Sequence, residues 1–169
     1  MLNRDKIRIV EDFPKKGIHF IDITTLLNDA TTFHKVFDIL LDQAKSVNPD
    51  VIVAMEARGF IFAPSIALAL NIPFVPIRKK GKLPYKTYSE SYELEYGTAE
   101  IEIHQDAIEK NKKVLIFDDI LASGGTAAAA IKLVNNFTPQ FVNLLFLMEI
   151  PELQGREKLS GYDIQIAIN

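Results

Sequence analysis

Residues 114 to 126 read Val-Leu-Ile-Phe-Asp-Asp-Ile-Leu-Ala-Ser-Gly-Gly-Thr. The apolar run Val114 to Phe117 predicts a buried strand, and the next predicted helix begins at Thr126. Between the two lie a pair of carboxyl groups and a loop of small residues, Ala122 to Gly125. Glycines let backbone N–H groups converge, the hydroxyls of Ser123 and Thr126 add donors, and a helix N-terminus favours an anion. The stretch therefore predicts a strand, a loop and a helix that together hold a terminal phosphate.

Asp118 and Asp119 follow this strand directly. Two adjacent carboxyl groups repel a phosphate, but they accept hydrogen bonds from the vicinal hydroxyls of a ribose, at ~1.5 to 3 kcal/mol for each charge-assisted bond. The loop has neither the lysine of a G-x-x-x-x-G-K-[ST] motif nor the spacing of G-x-G-x-x-G, which argues against nucleotide hydrolases and dehydrogenases. A sugar phosphate is the predicted ligand. The alternative is an acidic strand end in front of an ordinary capped helix.

Strands and helices alternate along the rest of the chain. Short apolar runs rich in β-branched residues predict strands buried on both faces, and apolar residues at helical spacing predict amphipathic helices. The predicted helices are 32–46, 60–70 and 126–137, and the predicted strands are 51–55, 74–77, 114–117, 141–148 and 164–168. This alternation predicts an α/β fold with a mostly parallel sheet flanked by helices, which binds its ligands at the carboxyl ends of the strands.

Residues 78–104 depart from this alternation. The loop that opens the segment, Arg78 to Pro84, is basic and too poor in apolar residues for a core position. In residues 85–104, apolar and polar residues alternate on either side of a turn at Gly97, which predicts a β-hairpin solvated on one side. We therefore predict that residues 78–104 form a mobile flap over the ends of the strands.

Composition limits the class of protein. The 169 residues fit one domain, residues 1–169, and 19 Lys and Arg against 22 Asp and Glu give a net charge of −3. This charge offers no positive field for nucleic acid or an anionic membrane. No apolar stretch approaches the roughly 18 residues of a transmembrane helix, and no secretory apolar core follows the first residues, so we expect a cytoplasmic protein. The absence of cysteine excludes thiol nucleophiles and thiolate zinc sites.

Residues 114–126 resemble the 5-phosphoribosyl pyrophosphate (PRPP) signature of type I phosphoribosyltransferases. Further segments narrow the resemblance to the adenine-specific branch of that family; they are residues 12–24, 56–60, 81–84 and 94–97. The similar region runs from about residue 4 to about residue 160. The resemblance implies the type I phosphoribosyltransferase fold, with a small hood at about residues 1–30 and a flexible flap at about 78–104.

The resemblance also implies an activity and the residues that carry it. The implied enzyme transfers 5-phosphoribose from PRPP to adenine, which gives AMP and pyrophosphate, in a purine salvage reaction. Mg²⁺ is the implied cofactor, held mainly by PRPP, and a homodimer is expected by analogy. The implied ligands of the PRPP ribose and 5′-phosphate are Asp118, Asp119, Ala122, Ser123, Gly124, Gly125 and Thr126. The implied pyrophosphate ligands are Arg58, Arg78, Lys79 and Lys82, with Lys80 left in solvent.

For the base, the resemblance implies that adenine lies between Phe20 and Ile120. Main-chain groups of His19 and Ile21 are expected to bind the edge of the base. Glu95 is the implied catalytic residue, because the family assigns the purine ring proton to this position. An unperturbed glutamate titrates near ~4.3, so this role requires that the closed flap desolvate Glu95.

Several of these residues have simpler explanations when each is considered alone. Phe20 lies in a segment with few helix or strand features and is more typical of a core residue. Arg58 fits a surface position equally well, and the basic run from Arg78 is typical of a solvated loop. The resemblance is incomplete at Ile21, where many relatives carry arginine, and it implies a cis peptide bond between Ala57 and Arg58. Two other functions stay open: transfer to another purine such as xanthine, and a non-catalytic regulator that senses PRPP.

Overall fold

The computed structural model describes residues 6–13, 15–17, 19–94 and 97–168. Within these ranges the chain forms nine strands and three α-helices. The strands are β1 Arg8–Val10, β2 Phe20–Asp22, β3 Val51–Met55, β4 Phe74–Lys79, β5 Thr87–Leu94, β6 Gly97–His104, β7 Lys113–Leu121, β8 Phe141–Glu149 and β9 Asp163–Ile166. The helices are α1 Ala30–Val47, α2 Ala63–Leu70 and α3 Gly125–Asn135.

Seven strands form one sheet in the order β5-β6-β4-β3-β7-β8-β9. The five strands from β4 to β9 in this order are parallel to one another. The hairpin strand β6 pairs antiparallel with both β4 and β5. Parallel strands present their carboxyl ends at one edge of the sheet, so the chain segments that leave β4, β3 and β7 lie side by side. The predicted α/β fold with a mostly parallel sheet is confirmed.

The sheet is covered on both faces, as the apolar strands predict. Along the central strand β3, Val51, Val53 and Met55 belong to the core that α3 covers. The alternate residues Ile52 and Ala54 belong to the core that α1 and α2 cover. All five side chains are buried, because neighbouring residues of a strand point to opposite faces of the sheet. The central strands therefore form a rigid platform beneath the loops at their carboxyl ends.

Strand β7 is longer than its apolar run predicts. The predicted strand ends at Phe117, whereas β7 continues to Leu121. Its ladder with β8 pairs Asp118 with Phe146 and Ile120 with Met148. The two acidic residues therefore lie within the strand rather than after it, because the backbone hydrogen bonds of the parallel pair continue past the point where the side chains become polar.

Helix boundaries also differ from the predictions, for reasons of capping. Helix α1 begins at Ala30, two residues before the predicted start, because the Asp29 carboxyl group accepts the N–H of Thr32 at 3.0 Å and caps the helix. The predicted helix 60–70 is instead a 3-10 helix, Arg58–Ile61, followed by α2 with Pro64 in its first turn.

The ends of α3 and β9 differ slightly from their predicted bounds. Helix α3 starts one residue early, at Gly125, because Gly124 has a positive φ of 77° that lies outside the helix. It ends at Asn135, two residues before the predicted end. Strand β9 covers Asp163–Ile166 rather than 164–168.

A second, two-stranded sheet lies in the predicted hood. Strands β1 and β2 pair antiparallel, with Arg8 opposite Asp22 and Val10 opposite Phe20. The sequence carries no strand prediction for either segment, because each strand has three residues and its partner lies about ten residues away. This pairing gives Phe20 a fixed backbone position at one end of a strand.

Candidate functional site

The loop that joins β7 to α3, residues 122–126, is called the phosphate loop below. It encloses a small cavity of about 60 Å³, which Asp118 and Ile120 of β7 also line. Every residue that the sequence assigns to the 5′-phosphate therefore surrounds one space, which opens at the N-terminus of α3. Backbone N–H groups and the positive end of the helix dipole suit this space to a tetrahedral anion.

Two glycines hold the phosphate loop against the segment that follows β8. A Cβ atom on Gly124 would lie 2.5 Å from the carbonyl oxygen of Gly155. A Cβ atom on Gly155 would overlap the carbonyl oxygen of Ala122 and lie 2.9 Å from a methyl carbon of Leu121. Sequence reasoning missed Gly155, because no motif around it points to a ligand. Its role follows only from a contact between segments that are distant in sequence.

Asp118 and Asp119, called the acid pair below, occupy different environments. Asp119 is 2% exposed, and its Oδ2 accepts a hydrogen bond from Nε of Arg58. Oδ1 of Asp118 accepts the N–H of Asp119 at 2.9 Å and faces Gly59, where a Cβ atom would lie 3.2 Å away. Burial, followed by the negative charge of Asp119, raises the pKa of Asp118 well above its ordinary value of 3.8.

The raised pKa of Asp118 has a consequence for stability. A carboxyl group whose pKa is raised by folding binds its proton more tightly in the folded chain, so stability falls as pH rises from about 3.8 through the raised pKa. We expect Asp118→Asn to raise Tm at pH 8 by about 2–4 °C, the shift that about 1 kcal/mol produces in a chain of this size. The gain should shrink as pH falls toward 4.

Thermal unfolding from pH 4 to pH 8 tests this expectation. The exposed Asp163, at the start of β9, supplies the matched control Asp163→Asn, whose Tm should follow that of the unchanged chain at every pH. A Tm gain for Asp118→Asn that is the same at pH 4 and pH 8, or a loss at pH 8, contradicts the assignment of a buried, proton-binding carboxyl group.

The base side of the site is built around Phe20. Its ring makes an edge-on contact with Phe13, with 5.2 Å between centroids, and the guanidinium carbon of Arg58 lies 5.3 Å from its centroid. Ile21 packs against the core beneath α1 and α2, and so does Ile120 across the site. Arg58 thus contacts both the acid pair and the aromatic ring that the resemblance assigns to adenine, which places the two subsites side by side.

Residues Arg78 to Leu83, called the cation loop below, leave β4 at the same edge of the sheet. The guanidinium of Arg78 forms two hydrogen bonds with the Glu56 carboxylate, at 3.1 and 3.3 Å. Glu56 also accepts the N–H of Lys79 at 3.3 Å. The hydrogen bond from Arg78 is the main cause that lowers the pKa of Glu56 below its ordinary value of 4.5. Lys80, which the sequence leaves outside the site, pairs with Glu100 at 2.9 Å.

The turn after β3 connects these groups. The chain has a cis peptide bond between Glu56 and Ala57, one bond earlier than the resemblance implies, so the expected position between Ala57 and Arg58 is wrong. Glu95, the expected catalytic residue, lies outside the described residues. The main-chain role of His19 stays a prediction.

Two structural searches add limits on this site. In residues 6–13, 15–17, 19–94 and 97–168, no group of three or more His, Asp or Glu side chains could hold a metal ion. Across the same ranges, none of the helices combines the length and the apolar character that crossing a membrane requires.

Comparison with known proteins gives consistent matches. A family model described as a phosphoribosyl transferase domain matches residues 26–167. The adenine phosphoribosyltransferase of Halothermothrix orenii is 55% identical over 158 residues, which are 94% of this chain and 93% of the relative. The crystal structure of adenine phosphoribosyltransferase from Thermoanaerobacter pseudethanolicus has a TM-score of 0.93 at 48% identity, over 98% of this chain and 96% of that one.

A third relative was solved with bound ligands. The Saccharomyces cerevisiae adenine phosphoribosyltransferase, complexed with an imino-altritol bisphosphate and adenine, has a TM-score of 0.90 at 38% identity. That match covers 98% of this chain and 96% of the yeast chain. The similarity therefore extends over nearly the whole chain and includes the edge of the sheet where the phosphate loop, the acid pair and the cation loop meet.

Proposed function

Because the chain belongs to the phosphoribosyltransferase family, we propose that it transfers 5-phosphoribose from PRPP to N9 of adenine and releases AMP and pyrophosphate. One observation carries the proposal. The ends of β3, β4 and β7 bring an anion-binding loop, a buried acid pair, a cation loop and an aromatic ring to a single edge of the sheet. These are the groups that a phosphate, a diol, a pyrophosphate and a flat base require.

The sugar phosphate is assigned to β7 and the loop after it. The phosphate loop binds the 5′-phosphate through its N–H and hydroxyl donors, and Asp118 and Asp119 accept hydrogen bonds from the ribose hydroxyls. Because Asp119 is almost fully buried, its charge acts in a medium of low dielectric constant. The sugar is thereby fixed at both ends while its anomeric carbon reacts.

The leaving group and the base occupy the neighbouring subsites. Arg58, Arg78, Lys79 and Lys82 are the cations assigned to pyrophosphate. Adenine stacks between Phe20 and Ile120, and main-chain groups of His19 and Ile21 bind its edge. Glu95 handles the purine ring proton. The bond from the anomeric carbon to pyrophosphate breaks early, the bond to N9 forms with inversion, and the cations stabilise the negative charge that develops on pyrophosphate.

Mg²⁺ fits this chemistry as a partner of PRPP. It is typically bound through one or two carboxylates together with the phosphate oxygens of a substrate, and the acid pair supplies carboxyl oxygens beside the phosphate loop. When bound with PRPP, the ion neutralises part of the charge on the leaving pyrophosphate. A cytoplasmic location and a homodimer remain predictions from the resemblance.

A rate assay with labelled bases tests the proposed function. The chain is supplied with PRPP, Mg²⁺ and either adenine, hypoxanthine or xanthine, and nucleotide and pyrophosphate are measured together. We expect AMP to form at least roughly 100-fold faster than the other nucleotides, because a site that binds the amino edge of adenine leaves unpaired groups against a ring carbonyl. Equal rates for the three bases contradict adenine as the substrate. PRPP binding without pyrophosphate release would instead indicate a PRPP sensor.

A further inference from the structure

Glu102 is a buried acidic residue with no role in the sequence predictions. It lies on β6, and only 5% of it is exposed to solvent. Burial of a carboxyl group is costly unless hydrogen-bond donors surround it. Four cationic residues lie in the neighbouring cation loop, yet the Glu102 carboxyl group is directed at the backbone of that loop.

The contacts of Glu102 join three segments. Its Oε1 accepts the N–H of Leu83 at 2.9 Å and the N–H of Lys82 at 3.1 Å. Its Oε2 lies 3.4 Å from the hydroxyl of Thr87, at the start of β5. One carboxyl group therefore fastens the end of the cation loop and the start of the hairpin to β6.

The main chain of Lys82 is held from both sides. Besides the bond to Glu102, its N–H contacts the carbonyl oxygen of Lys79 at 3.2 Å, which closes a tight turn. Its own carbonyl oxygen accepts Nη1 of Arg78 at 3.3 Å. In the described part of the chain, neither Lys79 nor Lys82 forms an ion pair through its ammonium group, and both residues are exposed. The loop thus combines a fixed backbone with cations that are available to a ligand.

We propose that Glu102 is a positioning residue for the pyrophosphate subsite. By accepting the N–H groups of Lys82 and Leu83, it fixes the backbone from which the Lys79 and Lys82 ammonium groups project. A polyanion then binds to cations already held in place, without the entropic cost of ordering the loop. This inference rests on the proposed function only in that it takes pyrophosphate as the ligand of the cation loop.

Titration with inorganic pyrophosphate, compared with AMP, tests the positioning role. AMP carries the base, the sugar and the 5′-phosphate but lacks the pyrophosphate group. We expect Glu102→Ala to weaken pyrophosphate binding by about tenfold or more, because two backbone hydrogen bonds are lost, while AMP binding changes by less than about twofold. The KM for PRPP should rise with the pyrophosphate dissociation constant, and the KM for adenine should not.

Two further variants isolate the hydrogen bonds from the charge and from the strand. Glu102→Gln keeps an oxygen that can accept both N–H groups, so it should bind pyrophosphate within about threefold of the unchanged chain. Glu100→Ala, two residues away on β6, removes the ion pair with the Lys80 side chain and should have a similarly small effect. An equal loss of pyrophosphate and AMP binding in Glu102→Ala, or no loss of either, overturns the proposal.

Hydrogen exchange in the unchanged chain supplies a test that needs no variant to fold. The amide of Leu83 has Glu102 as its acceptor, so it should exchange at least about tenfold more slowly than in an unstructured peptide. Exchange at the unstructured rate overturns the proposal. A failure of the proposed function is distinguishable, since it would appear as absent AMP synthesis while pyrophosphate titration and exchange still respond to Glu102.

Discussion

Replacement of Gly155 with alanine is expected to raise the KM for PRPP by about 10-fold to 100-fold, because overpacking in a closed contact costs about 1–3 kcal/mol. The added Cβ would overlap the carbonyl oxygen of Ala122 and press on Leu121. Gly155 does not have a positive φ, so the backbone itself would accept alanine. The whole effect must therefore come from displacement of the phosphate loop.

Initial rates at varied PRPP, with thermal unfolding alongside, measure this effect. The exposed Ser160 follows the same 3-10 segment, so Ser160→Ala serves as the matched control and should leave the KM unchanged. The KM for adenine should rise less than the KM for PRPP, since the contact lies on the phosphate side of the site. A Gly155→Ala chain with the KM for PRPP of the unchanged chain would show that the phosphate loop tolerates the displacement, against this interpretation.

The second large effect concerns the acid pair. Asp119→Asn keeps the shape of the side chain but removes the charge that Arg58 contacts and that the ribose hydroxyls require. We expect kcat for AMP synthesis to fall on the order of tenfold or more, which corresponds to about 1.4 kcal/mol in the activation barrier. Because the site of the change is buried and the volume is kept, the chain should remain folded.

Single-turnover and steady-state rates, each compared with thermal unfolding, check this expectation. Asp106→Asn alters an exposed carboxyl group between β6 and β7 and should leave kcat unchanged. If Asp119→Asn turns over adenine at the rate of the unchanged chain, the carboxyl group has no part in the reaction, and the sugar must be held by other groups.

Much of the sheet could be predicted because its signals are local. The apolar run from Val51 to Met55 has the length and side chains of a strand covered on both faces, and that is its place in the sheet. The phosphate loop was equally accessible, since its small residues, hydroxyls and following helix are contiguous in sequence. Residues 122–126 do surround one cavity.

The supports of the site could not be predicted in this way. Glu56 and Glu102 act on residues about twenty positions away, and Gly155 acts on a loop about thirty positions away. No periodicity or motif connects such partners, because they meet only after the sheet has formed. The β1–β2 pair was missed for the same reason, since three-residue strands carry too little pattern to be recognised.

The position of Arg58 links two events that are usually treated as independent. Its Nε contacts Asp119, while its guanidinium carbon lies over the ring of Phe20. A ligand that draws this side chain toward its own oxygens frees an acceptor for the sugar and a ring face for the base in one movement. Occupancy of either half then changes the free energy of filling the other, equally in both directions by thermodynamic reciprocity. A single arginine thus gives the chain heterotropic cooperativity between its two reactants.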